Sequence, residues 1–495
     1  MRHKLWYGIL TIICSSLLCL GLINVTVGKS ELSLPNQSQV LERLSFGINT
    51  AQLKDIKKRG IEAYIQSQLN PESISESSSL NNYLAGLKLI NQQPIKLQTE
   101  QYINKQKLED IAISTEQKIK LQKKNYDLKK QARLEAMDAH LARAINSPRQ
   151  LQEVMVDFWF NHFNVMAGKG TISLWVNDYE NEIRANALGS FRDLLEVTAT
   201  HPAMLIYLDN FKNFAFSNSN KKRNSETLNE NYARELMELQ TLGIDGGYTQ
   251  EDVITLAKIF TGWRVDYLGE RGNKKGFFFD EKRHDRGEKV FLGHKIEPNG
   301  ITEGQQALDI LATHPATAQF ISYKLAQYFV ADRPPSSLVD KLAQKFMKSD
   351  GNIKVVMDTL IHASEFNDPK YYQQKFKTPY QYIVSLVRIS EIEQPDYDRI
   401  RGMISSLSMP IYSCIPPTGY KNTQDVWLNS QAMLQRIGFA SAIANASLNK
   451  QDPVEYQKIE TNLGKLSAHT KKVIAKSPGK LRPALILGSP EAMYR

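Results

Sequence analysis

The sequence predicts a mainly α fold: one large multi-helix globular domain with one small β-hairpin and a long charged helical excursion. Three observations predict it. Apolar residues recur at helical spacing almost throughout, with capping signals between the periodic stretches. Strand signals are confined to "GFFFDEKRHDRGEKVFLG", residues 276–293, where two apolar runs flank a polar, Gly-containing turn. Between residues 96 and 134, ten Lys or Arg stand against five acidic residues with few helix breakers. Such a charge run marks a solvated helix face, with a contact to anionic envelope lipid or polymer as the second reading.

The elements follow in order. In residues 1–28, Arg2, His3 and Lys4 precede an apolar stretch from Leu5 to Val27, the pattern of an export signal. The stretch is also long enough for a retained membrane anchor over 5–27. Either way the chain is expected to be exported, to the periplasm or cell exterior or anchored at the inner membrane. A net charge of +10 suits an anionic partner, but an exported protein does not meet chromosomal DNA, so no nucleic-acid partner is expected. Residues 36–495 read as one helical domain, in which a single long helix is expected across 96–147. Leu121 and Leu128, then Leu134 and Leu141, give that helix a narrow, slipped apolar seam rather than a sustained coiled coil. The pairs His201-Pro202 and His314-Pro315 both fit helix starts with Pro in the first turn. Outside the N-terminal segment the one cysteine is Cys414, which excludes an internal disulfide or a Cys-based zinc site there. It reads as a buried filler rather than a reactive thiol.

The densest motif is "NENYARELMELQTLGIDGGYTQEDV", from Asn229 to Val253. Part of it is helix punctuation. Thr227 and Glu230 match a capping box, Gly243 fits a left-handed helix end, and Thr249 with Asp252 fits a second box. On a helical wheel Glu230, Arg234 and Glu238 form a ladder of ion pairs four residues apart. Glu235 and Gln240 instead fall inside the apolar arc, and a buried carboxylate needs a cation, a donor or a metal. In "VMVDFWFNHFNV", Val154 to Val165, His162 likewise falls on the apolar side, while Asp157, Asn161 and Asn164 cluster on another. A satisfied core histidine is the plain reading of His162; a charge or proton-transfer pair with Glu235 is the sharper one. His284-Asp285, in the expected hairpin turn, is a third candidate for acid–base or ligand chemistry. Asn161, Asn229, Asn231 and Arg234 are the binding candidates. The chain has no P-loop, no G-x-G-x-x-G, no G-x-S-x-G and no His-based metal spacing, so no cofactor and no metal are expected.

Several stretches together carry a resemblance: "FWFNHFNV", "PAMLIYLDN", the 229–253 motif, "FTGW", "FFFDEKRHDRGEKVFLG", "PPTGY" and the terminal "LGSPEAMYR". In this order they resemble the large bacterial domain-of-unknown-function family 1800, from about residue 36 to the C-terminus. The resemblance implies a mainly helical fold behind an export signal. It supplies no activity and no catalytic residues. Through the genes that accompany such relatives it implies, by association alone, an envelope protein partner of a sulfatase-like family. Gln240 stands where relatives often carry His, so a mechanism built on that histidine is not available here. Two classes of function follow: a non-catalytic envelope or extracellular protein that binds a partner protein or polymer, and a hydrolase built from His162, Glu235 and His284-Asp285.

Overall fold

The helices of the computed structural model pack around one continuous apolar cluster that takes in residues from Val40 to Met493. The structure describes residues 34–215, 228–271, 275–446, 453–464 and 466–495. The N-terminal segment and Thr227 therefore lie outside the described residues, and among those described no helix is long and apolar enough to cross a membrane. At the centre lies the helix Gln150–His162, whose Leu151, Val154, Met155 and Trp159 are fully buried. The helix Pro379–Ile389 is buried along every residue and supplies the other side of the core.

Helix starts follow local chemistry. In both His-Pro pairs the histidine is the N-cap, its Nδ1 accepting the amide of Ala203 or Ala316 at 3.1 Å, with Pro as the first helical residue. Thr249 and Asp252 form the expected capping box.

The expected long helix is two. It runs Pro94–Glu109 and then Thr115–Asn146. At the break, Asp110 accepts the amide of Ala112 at 2.8 Å, and Ser114 with Gln117 caps the second helix. The first helix folds back on the second, joined by Asn104 to Asn125 at 3.0 Å and Lys124 to Glu100 at 2.7 Å. The charged run 96–134 is largely solvent-facing, with Leu97, Gln98, Asn104, Asn125 and Ala132 buried in it, and beyond it the second helix enters the core at Ala136, Leu141 and Ala142.

The expected hairpin over residues 276–293 is also corrected. Its two apolar runs do not pair with each other. β1 (Trp263–Val265) pairs antiparallel with β2 (Phe277–Phe279), and β3 (Lys289–Phe291) pairs with β4 (His294–Ile296). The second turn is Leu292-Gly293, with φ of 48° and 78°, the left-handed pair that a tight two-residue hairpin demands. The polar stretch between β2 and β3 stays mostly exposed, and His284 alone within it is buried.

Candidate functional site

The helix that begins the 229–253 motif is shorter and wider than its sequence suggests. It runs Asn231–Glu235 in the α form, and Leu236–Gln240 continue as a π turn. Thr241 Oγ closes that turn by donating to the Leu236 carbonyl five residues back, at 2.7 Å. Gly243 then ends the helix at φ 81°, its amide reaching the Met237 carbonyl at 3.1 Å. π turns are rare and recur at functional sites. Here the extra residue rotates the wheel. Glu235 is half-buried rather than buried, and desolvation followed by repulsion from Glu238 raises its pKa, against Arg234. The Arg234 ladder forms as expected, to Glu230 at 3.2 Å and Glu238 at 3.5 Å.

The π turn presents Gln240 to His162, whose Nε2 lies 3.0 Å from the Gln240 carbonyl. A carbonyl only accepts, so the proton sits on Nε2 and Nδ1 carries a lone pair. That Nδ1 is buried and meets no donor among the described residues; the same is true of Gln240 Oε1. Neither ring nitrogen meets the Glu235 carboxylate, so the sharper of the two readings, a His162–Glu235 pair, is not formed. His162 is enclosed by the rings of Phe158, Trp159, Phe163 and Phe320. Burial, reinforced by the nearby Lys324 charge, pushes its pKa down to about 3.

His162 borders two adjoining clefts. The larger, about 590 Å³, lies between the π turn with its glycine exit and the helix Pro315–Phe329. Its apolar wall includes Leu239, Leu242, Phe320 and Val339, Glu238, Asp245 and Gln319 add polar groups, and Ile244, 73% exposed, and Tyr323 also line it. The smaller, about 380 Å³, is more polar and includes Gln327, Lys421, Asn422 and Thr423. His162, Lys324 and Thr418 line both. Lys324 forms no ion pair among the described residues. Its ammonium lies 5.8 Å from the Phe320 ring centre, and burial lowers its pKa.

The shared wall at Thr418 belongs to the "IPPTGY" loop, which Asn161 on the central helix and Asn164 just past its end hold in place. Asn161 gives its side-chain amide to the Tyr420 carbonyl at 2.8 Å and takes the Tyr420 amide at 2.7 Å. Asn164 donates to the carbonyls of Cys414 and Pro416 at 3.1 and 2.9 Å. Gly419, at φ 71°, passes so close to Asn161 that a Cβ would lie 2.2 Å from its carbonyl oxygen. Asn161 is thus tied up in holding the loop. Asn229 and Asn231 similarly tie their segment to the carbonyls of Asp209 and Leu208. Cys414 is buried, and burial pushes its thiol up to about 11.

His284 and Asp285 lie elsewhere. Instead of a solvated turn, His284 is buried, with Nδ1 2.9 Å from the Thr261 carbonyl and Nε2 3.0 Å from Glu303. Lys289 completes the cluster, 2.9 Å from Glu303 and 3.3 Å from Asp285, and donates to the carbonyls of Asp285 and Gly287. These bonds hold His284 inside while Glu281–Arg283 and residues 286–288 stay exposed. His162 therefore stands in a cleft without Glu235 or His284 in its lining. Sequence reasoning missed Lys324, Phe320 and Thr418. A lysine amid the apolar periodicity of "FISYKLAQYF" was the available signal for the first.

Fold and cleft together define a mainly helical protein with a cleft of mixed apolar and charged lining beside a π turn. The chain belongs to the family described as "Protein of unknown function (DUF1800)", whose model matches residues 39–494. No curated protein and no solved structure matches it.

Proposed function

We propose that this is an exported, non-catalytic binding protein whose cleft takes an apolar segment of a partner protein bearing an acidic group. The observation that carries the reading is Lys324: an ammonium without an ion-pair partner among the described residues, in a mainly apolar cleft whose two carboxylates, Glu238 and Asp245, form no ion pair with it. A desolvated cation of this kind favours a ligand that brings its own carboxylate. Exposed Ile244 and Tyr323 extend the apolar surface such a segment would cover. The export signal read in residues 1–28 supports a partner in the cell envelope or outside it. The hydrolase reading needs His162, Glu235 and His284-Asp285 in one place, and His284 is instead engaged with Glu303 and Thr261.

The test is a peptide-display selection on the purified chain, followed by titration of the selected peptides against Lys324→Glu and Ile244→Glu. Acidic, apolar sequences should emerge and lose about tenfold or more in affinity with each variant, or at least about 1.4 kcal/mol. Selected peptides indifferent to both substitutions would sink the reading. So would turnover in an ester, phosphate and glycoside screen that disappears in His162→Asn.

A further inference from the structure

A second site is suggested by the basic helix Thr115–Asn146, which the cleft does not involve. Tyr126, Lys129, Lys130 and Arg133 fall at helical spacing on one face of it. That face closes on the loop at Ala167–Ser173, and the two enclose a pocket of about 150 Å³. Three cations and no carboxylate line the pocket. Lys129, Lys130 and Arg133 form no ion pair among the described residues, whereas Lys120, Lys123 and Lys124 on the same helix each have an acidic partner. The loop's own lysine, Lys169, is drawn away: its ammonium is held by Asp209 at 2.7 Å and the Tyr207 carbonyl at 2.6 Å. Across from the cations the lining is Gly168, Gly170 and Ser173. The amides of Gly168 and Gly170 donate to no acceptor among the described residues. Gly170 adopts φ 57°, a conformation that glycine takes without strain.

We infer that this pocket binds a phosphate-like oxyanion group. The chemistry is that of oxyanion recognition: a guanidinium fork and two flexible ammonium groups beside small residues, Gly168, Gly170 and Ser173, around a space of small-anion size. Like charges held together without counter-charges repel one another, and a multiply charged anion relieves that repulsion more fully than a single carboxylate. The site is separate from the cleft, sharing no lining residue with it. The group could arrive as free phosphate or on a lipid headgroup, and the two sources are told apart by experiment.

The experiment titrates the purified chain with inorganic phosphate. In parallel it measures sedimentation with phosphatidylglycerol–phosphatidylcholine vesicles against pure phosphatidylcholine vesicles. Each arm compares the natural chain with Lys130→Gln/Arg133→Gln and with Lys120→Gln/Lys123→Gln, which removes the same charge elsewhere on the helix. Binding in either arm should fall about tenfold or more in the first variant and stay within about twofold in the second. Thermal melting of both ligand-free variants establishes that each is folded. Equal losses in the two variants would show a diffuse charge effect and overturn the site, as would absence of binding in both arms.

Discussion

His162 is a neutral imidazole held in an aromatic box, and that state has a measurable consequence. Its folded pKa, about 3, lies below the ordinary value of 6.5. Between those values the unfolded chain takes up a proton that the folded one refuses. Stability is therefore fully present above about pH 6.5 and is lost as pH falls toward 3, by on the order of 1.4 kcal/mol per unit in that window. Urea unfolding across the window should show this slope in the natural chain and a shallower one in His162→Asn; parallel slopes would refute it. Glu303 poses the opposite case, since it balances Lys289 and contacts His284 with all three side chains about 2% exposed. Glu303→Gln leaves the Lys289 charge without its principal partner, and thermal or urea unfolding should register a loss of about 3–5 kcal/mol. A loss under about 1 kcal/mol would mean that Asp285 and the two carbonyls suffice for Lys289.

Elements that shape the cleft are short and irregular, which is why their cores were legible in the sequence and their detail was not. Periodicity placed a helix at 228–242 and a glycine end at Gly243; the structure has a shorter helix, residues 231–240, with Gly243 at its exit. It could not place the π turn, because one inserted residue per turn is selected by tertiary bonds such as His162 to the Gln240 carbonyl. That insertion is also why Glu235 was assigned to the apolar face. The hairpin failed for a related reason: the run Phe277–Phe279 satisfies a strand pattern without saying that its partner is Trp263–Val265. The docking of the "IPPTGY" loop on Asn161 was not legible, because it depends on contacts more than 250 residues apart in sequence. Gly419 tests that docking. Alanine there meets both an unfavourable φ and the Asn161 backbone, so Gly419→Ala should lower stability by about 1–3 kcal/mol. It should also weaken any peptide selected on the cleft, because Thr418 moves with the loop. A variant with unchanged melting and unchanged binding would show that the loop yields without consequence.

At the scale of the molecule, the ends of the described chain meet one core. The C-terminal residues are tied into its interior: Phe376 bridges Tyr494, Lys377 donates to the Ala492 carbonyl at 2.9 Å, and Arg495 donates to the Tyr328 carbonyl at 2.9 Å. Tyr328 in turn gives its hydroxyl to Asp157 on the central helix at 2.7 Å. The sequence read as one helical domain over residues 36–495, without showing which residues join its ends. The energetic meaning of that junction lies in the contacts. Met493 is 1% exposed and joins the same apolar cluster as Trp159, Trp175 and Trp263. Met493→Ala removes buried apolar volume and should cost about 2–5 kcal/mol. If the cluster unfolds as a unit, that cost is felt everywhere in it. Tryptophan fluorescence, which reports chiefly on the buried indoles far from residue 493 in sequence, and far-ultraviolet circular dichroism should then shift together to lower denaturant. A tryptophan transition left in place, with a separate early transition at the C-terminal helices, would divide the core into independently stable parts.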